Sequence, residues 1–208
     1  MKKIITTLLI LSGICTVIRA QTKNTVEFGA NIGYNLSNIS AADYNGYTYY
    51  LSGFNAGVSL EYYFSDKWGI KGKLLYDQKG GGGGVLTFED GTQIDNVNFH
   101  LNYITIPVMA NWHFGRTRNW YLNFGPYVGV LMNARESYTN KDIKDDFNST
   151  DFGLAVGIGV KFPISKSVKM FIEADGQGGI TDIFKNNPDE SVQNSRSSIN
   201  VGFLIPIK

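Results

Sequence analysis

Eight times along this 208-residue chain, apolar side chains occupy every second position over about ten residues. On alternate residues the runs are Val26 to Leu36, Phe54 to Phe64, Trp68 to Tyr76, Ile104 to Phe114, Leu122 to Met132, Phe152 to Phe162, Val168 to Ala174 and Ile199 to Ile207. Successive side chains of a β-strand point to opposite faces, so each run is one face of a strand. No charged residue falls on that face in any run. The opposite face collects Glu27, Glu61, Asp77, Asp151, Glu173 and Asp175 with Lys71, Lys73, Lys161 and Lys169. A bulky apolar face backed by a small, polar face of mixed sign fits a wall with lipid outside and a polar interior. About ten residues is also the length of a tilted strand that crosses a bilayer. No stretch after the N-terminal segment approaches the roughly 18 consecutive apolar residues of a membrane-spanning helix.

The connections carry a second pattern. Short turns at Ser65 to Lys67, about Gly115 to Asn119 and about Pro163 to Ser167 alternate with long polar segments at Ser37 to Gly53, Gln78 to Asn102, Asn133 to Thr150 and roughly Gln177 to Ser197. The sequence therefore predicts an all-β fold, an eight-stranded antiparallel up-and-down transmembrane β-barrel with short periplasmic turns and long extracellular loops. Both chain ends then face the periplasm. The segment Gln78 to Asn102 reads as a projecting hairpin, since Val85 to Phe88 and Gln93-Ile94 flank Asp90-Gly91, a favoured tight-turn pair. Aromatic residues collect where hydrocarbon meets head groups, and Tyr62, Phe64, Trp68, Trp112, Phe114, Trp120, Tyr121 and Phe162 all flank the short turns. They form an expected periplasmic girdle; Tyr34, Phe54 and Tyr76 suggest the outer belt.

Export is written at the N-terminus. Lys2 and Lys3 precede the apolar run Ile4 to Ile14, and Ala20 closes it before Gln21, the layout of a secretory signal peptide. Residues 1–20 are expected to be cleaved, leaving 21–208 as the barrel domain in the outer membrane. Cys15 as a lipidated first residue is disfavoured by the bulky Ile14 before it. Cleavage removes Cys15 together with Lys2, Lys3 and Arg19, so 16 of the 19 basic residues remain against 18 acidic ones, a formal charge of −2. With no thiol left, no disulfide framework is available. The near-neutral balance offers no basic field for nucleic acid. Charged residues are 18% of the chain, below the quarter or so usual for soluble domains.

The chain resembles the PorT-like outer-membrane β-barrel domains of Bacteroidetes. The likeness rests on the signal ending Ala20-Gln21, Leu101-Asn102-Tyr103-Ile104-Thr105-Ile106-Pro107-Val108, Tyr121-Leu122-Asn123-Phe124-Gly125-Pro126-Tyr127-Val128-Gly129, and Gly179-Ile180-Thr181-Asp182-Ile183. It covers essentially the whole mature chain and implies a barrel fold without implying a particular role. One departure is the final stretch, Phe203-Leu204-Ile205-Pro206-Ile207-Lys208, which lacks the terminal aromatic residue usual in outer-membrane barrels.

An eight-stranded barrel has an interior just wide enough to be filled by side chains. Glu27, Glu61, Lys71, Lys73, Asp77, Lys161, Glu173 and Asp175 are thus expected to form a charge lattice in the lumen, since unpaired charges there are costly. A proton or small-ion path is the functional alternative. His100 and His113 lie thirteen positions apart, an odd spacing that puts them on opposite faces of one strand, so they cannot readily share a metal. Some small outer-membrane barrels are lipid-modifying enzymes built on a histidine, but no spacing specifies a partner for His100. Gly80 to Gly84 lacks the Lys-Ser/Thr of a phosphate loop and reads as a flexible lead into the second loop. Asp142, Asp145, Asp146 and Asp151 match no calcium loop and read as a solvated acidic segment. Pro107 and Pro126, inside strands, predict bulges.

No catalytic, cofactor-binding or metal-binding residue is expected. The sequence points to a non-enzymatic outer-membrane barrel, envelope-structural or surface-binding through its loops. Expected partners are outer-membrane lipid and lipopolysaccharide, the barrel assembly machinery and an unknown extracellular or envelope protein. The alternatives are an acyl hydrolase or acyltransferase of the outer membrane and a periplasmic, lipocalin-like binder of an apolar ligand.

Overall fold

Each alternating run falls on a strand of the computed structural model, with only Phe64 and Val168 one residue outside theirs; the structure describes residues 23–41, 49–87, 91–185 and 191–207. The strands are β1 (Thr25–Ala41), β2 (Leu51–Tyr63), β3 (Trp68–Thr87), β4 (Gln93–Phe114), β5 (Trp120–Glu136), β6 (Thr150–Pro163), β7 (Lys169–Gly179) and β8 (Val192–Ile207). Neighbours in sequence pair antiparallel, and β8 returns to β1 to close the ring. Closure satisfies the backbone along the wall and leaves no open edge, as a span through hydrocarbon requires. The expected signal peptide, Phe88 and Asp90 of the expected hairpin turn, and Lys208 lie outside the described residues.

Burial alternates along every strand, and the apolar face is the outer one. In β6, Asp151, Gly153, Ala155 and Gly157 point in while Phe152, Leu154, Val156 and Ile158 point out. Ile32 is 65% exposed and Leu154 62%, whereas Glu61, Lys71, Asp77 and Glu173 are 1% or less. In water such a band would far exceed the apolar patch a soluble monomer tolerates; in a bilayer it is the lipid-facing wall. This polarity rules out the lipocalin-like alternative, which needs the apolar face inside.

The strands are longer than the alternation suggests. β3 has 20 residues and β4 has 22, paired out to Thr87 and Gln93, so most of the segment expected as the second loop is a projecting hairpin. Residues 37–41, 133–136 and 192–197, expected in loops, are also strand. Beyond the lipid both faces can be polar, so the hydrophobic period stops although the hydrogen-bond ladder continues. The glycine run is likewise strand rather than flexible lead. Register shifts lie between Gly81 and Gly84 and between Gly84 and Leu86. Gly80, at φ 133°, passes so close to β4 that a Cβ there would sit 1.9 Å from the Phe99 carbonyl oxygen. Glycine permits this bulged close approach. The bulges expected at Pro107 and Pro126 are absent: the β4–β5 register is the same at Pro107↔Tyr127 and Ala110↔Phe124, with two pairs missing between them. Loss of the proline donor interrupts the ladder without inserting a residue. The β4–β5 shift falls instead between Asn102 and Tyr103.

The outer mouth is closed by apolar side chains. Ile39, Leu101, Leu131 and Ala134 from strand ends meet Ile143 and Phe147 of the β5–β6 connection and Ile183 of the β7–β8 connection, with Phe99, Phe184 and Val192 against them. The Phe147 and Phe184 rings are 4.6 Å apart. Backbone bonds hold the cap down, including Ile143 N–H to Ala134 O at 3.0 Å and Asn148 N–H to Ile183 O at 2.8 Å. The Asn148 side-chain amide also donates to the carbonyls of Asp182 and Phe184, each at 2.9 Å.

Candidate functional site

Inside the ring the polar faces of the strands build stacked clusters of paired charges. Nearest the short turns, Lys161 Nζ lies 2.9 Å from Glu27 and 3.2 Å from Glu61, with the Tyr63 hydroxyl at 2.5 Å. Lys169 reaches the other Glu27 oxygen at 2.5 Å, and His113 Nε2 and the Asn111 amide meet Glu61 Oε1 at 2.5 and 2.8 Å. One level up, Glu173 is held by Lys73, by Lys71 at 3.5 Å and by the Asn123 amide at 2.9 Å. Lys73 also faces Asp175 at 3.6 Å. Arg196 then bridges Asp175 at 2.6 Å and Asp77 at 3.3 Å, while Ser198 and Asn200 donate to Asp175 and Asn35 to Asp77. Beneath the apolar cap, Lys79 pairs with Asp151 at 3.0 Å, and Tyr127 and Asn194 donate to the same carboxylate.

All eight residues expected in the lattice line the lumen within this chain of contacts. The structure adds Lys79, Asp151, Lys169, Arg196 and His113. Six carboxylates (Glu27, Glu61, Asp77, Asp151, Glu173, Asp175) therefore face six cations (Lys71, Lys73, Lys79, Lys161, Lys169, Arg196) among the described lumen residues. The balance follows from the environment, because a charge in a narrow, low-dielectric interior is tolerated when paired and hydrogen-bonded. Aromatic faces complete it: Lys71 Nζ lies 4.8 Å from the Tyr121 ring centroid and Lys79 Nζ 4.3 Å from that of Tyr127.

Tyr121 corrects the expected girdle. It is fully buried in the lumen, because alternation puts it on the face opposite Trp120 and Leu122. The other seven residues lie at the short-turn end on the outside. Trp68 and Trp112 are cross-strand partners with rings 6.2 Å apart, and Phe114 stacks on Trp112 at 5.0 Å. At the other rim Tyr34 pairs with Phe54, whose ring lies 5.7 Å from Tyr76. The histidines separate as their spacing implies, His113 inward and His100 outward at the outer end of β4, opposite Arg135. Asp142 caps the backbone of Lys144 at 2.9 Å in a 3-10 turn, Lys144–Asp146. Asp151, read with that acidic segment, is instead buried under the cap beside Lys79.

A closed eight-stranded ring with an apolar exterior and a neutral, packed polar interior defines a class, the small outer-membrane barrels. The family model described as outer membrane protein beta-barrel domain matches residues 19–185, and the chain belongs to that family. No curated protein matches the sequence. Among solved structures the chain is similar to the outer membrane protein OprG from Pseudomonas aeruginosa, at 12% identity and TM-score 0.52, covering 92% of this chain and 99% of that one. It is also similar to Neisserial surface protein A, at 16% identity and TM-score 0.50, covering 86% and 96%. At these identities the likeness is one of fold.

Proposed function

We propose that this outer-membrane barrel is non-enzymatic and works as an envelope-structural or surface-binding protein through its extracellular loops. In this reading residues 1–20 are a cleaved signal peptide, the barrel assembly machinery inserts the mature chain among outer-membrane lipid and lipopolysaccharide, and the chain groups with the PorT-like barrels of Bacteroidetes. The partner is an extracellular or envelope protein. The observation that carries the reading is the filled, charge-balanced lumen under an apolar cap, which leaves the outer loops as the surface free to meet a partner. Loops on a rigid scaffold are a common place for recognition.

The test begins with fractionation of cells expressing the native gene and gel migration with and without boiling. Recovery in outer membranes with a boiling-dependent shift is expected, and recovery as a soluble periplasmic protein overturns the proposal. The lipid A profile is then compared among cells with the native gene, with His100→Ala and without the gene. Identical profiles are expected; a profile that depends on His100 would assign a lipid-modifying enzyme instead.

A further inference from the structure

The two rims of the barrel differ in charge. Among the described residues of the periplasmic turns, 23–24, 64–67, 115–119 and 164–168, stand Lys23, Lys67, Arg116, Arg118 and Lys166 against Asp66 alone, a formal +4. The described residues outside the strands at the other rim carry Lys141, Lys144 and Lys185 against Asp142, Asp145, Asp146 and Asp182. Every short turn thus contributes a cation, while the outer rim is slightly acidic.

Three of these cations converge. Pairing of β1 with β2 and of β3 with β4 brings Lys23, two residues before β1, the β2–β3 turn and the β4–β5 turn together around a hollow of about 430 Å³ lined by Lys23, Ser65, Asp66, Lys67, Trp68 and Arg118. The frame is built rather than loose. Ser65 Oγ accepts from the backbone N–H of Lys67 at 3.3 Å and of Trp68 at 3.0 Å, and the Lys67 carbonyl accepts from His113 N–H at 2.6 Å. Arg118 is aimed by Asp66, at 3.1 Å from its carboxylate and 3.3 Å from its carbonyl. One carboxylate against three cations leaves the hollow at a formal +2. Trp68, stacked with Trp112, is its upper wall, and such rings sit at the depth of lipid head groups.

We infer that this hollow binds the phosphate of an anionic glycerophospholipid in the periplasmic leaflet, with Lys23, Lys67 and Arg118 around the phosphate and Trp68 along the glycerol and upper acyl carbons. A cationic collar at head-group depth, directly below an apolar wall, matches a ligand that is anionic at one end and apolar at the other. The inference goes beyond the proposed role of the outer loops and concerns the opposite rim.

The test is native mass spectrometry of the full chain purified from outer membranes in detergent and titrated with phosphatidylglycerol, phosphatidylcholine or inorganic phosphate. The native protein should retain phosphatidylglycerol in preference to phosphatidylcholine. Lys67→Gln with Arg118→Gln should weaken that retention by roughly tenfold or more, at about fivefold per cation facing an anionic lipid. Lys141→Gln with Lys144→Gln, which removes two cations from the other rim, should leave it unchanged. Equal retention of both lipids, or equal loss in both double variants, overturns the inference. Displacement of lipid by equimolar inorganic phosphate would assign a free-anion site and also overturn it, as would variant-sensitive binding to peptidoglycan sacculi without phosphatidylglycerol retention. Each variant is first checked for the boiling-dependent shift; if Lys67→Gln/Arg118→Gln fails it, Lys23→Gln/Lys67→Gln poses the same question.

Discussion

Lys161 is fully buried and stands between two carboxylates, Glu27 and Glu61, that come from different strands. Replacing it with methionine keeps an unbranched side chain one heavy atom shorter and leaves both acids without that cation. Breaking a buried pair from one side costs about 3–5 kcal/mol, because the remaining charge has lost its compensation. Urea unfolding of Lys161→Met in detergent or vesicles should show a loss of that order, and Lys161→Met with Glu61→Gln should recover part of it. A double variant no more stable than the single one would remove the lattice argument. Glu136 poses the same question at the outer end of the wall, where it is 1% exposed. It ends β5 beyond the apolar band and accepts from the N–H groups of Tyr138 at 2.5 Å, Thr139 at 2.8 Å and Lys141 at 3.0 Å, and from the Thr139 hydroxyl. Burial raises its carboxyl, but these bonds outweigh burial and hold it below the ordinary 4.5. A depressed carboxyl stabilises the fold above its unfolded value and loses that contribution as pH falls through the folded one. The 137–141 turn should therefore keep its amide protection at neutral pH and lose it in acid below 4.5, with Glu136→Gln abolishing the pH dependence in hydrogen exchange.

At the scale of the elements, what the sequence discloses depends on what each strand face touches. Between Thr25 and Leu36, or Thr150 and Phe162, one face meets lipid and the other the lumen, and the period of two is plain. Past Tyr76 the outward residues are Gln78 and Gly80, so the contrast disappears and Lys79 looks like part of a loop, although it continues the inward series Lys71, Lys73, Leu75, Asp77. Arg196 is hidden in the same way, since its outward neighbours are Ser195 and Ser197. Carrying the β3 alternation one step further would have found Lys79, and the β8 alternation two steps back would have found Arg196. Tyr121 was legible too, because its parity contradicts that of Trp120. The apolar cap was not: Ile143 and Phe147 stand singly among polar residues and Ile183-Phe184 is an isolated pair, and neither carries a periodic signal. That cap makes its own prediction. Phe147 is 1% exposed between the rings of Phe99 and Phe184, and Phe147→Ala should cost the cap about 3–5 kcal/mol. Proteolysis within residues 137–149 and 180–185 should accelerate while the membrane-embedded strands keep their boiling-dependent shift. Unchanged cleavage would mean that the connections are held by their backbone bonds alone.

The whole molecule is a lipid-embedded wall around a core that is ionic in its lower part and apolar at its outer mouth. A ring of this strand number fills its interior with side chains, and here the filling is electrically neutral. Purified protein in planar bilayers should accordingly show no stepwise conductance under moderate voltage; discrete openings in the native chain would require the lattice and the cap to part.

The cap also divides the outer connections into two populations. Ile143, Phe147, Ile183 and Phe184 face inward and fix where the connections run, while the side chains of Lys141, Asp145 and Asp146 face outward and hold nothing in the core. Residues of the second kind can be exchanged without disturbing the first, much as letters can be changed on a sign whose frame is bolted from behind. A lineage can vary those positions and still inherit the same barrel.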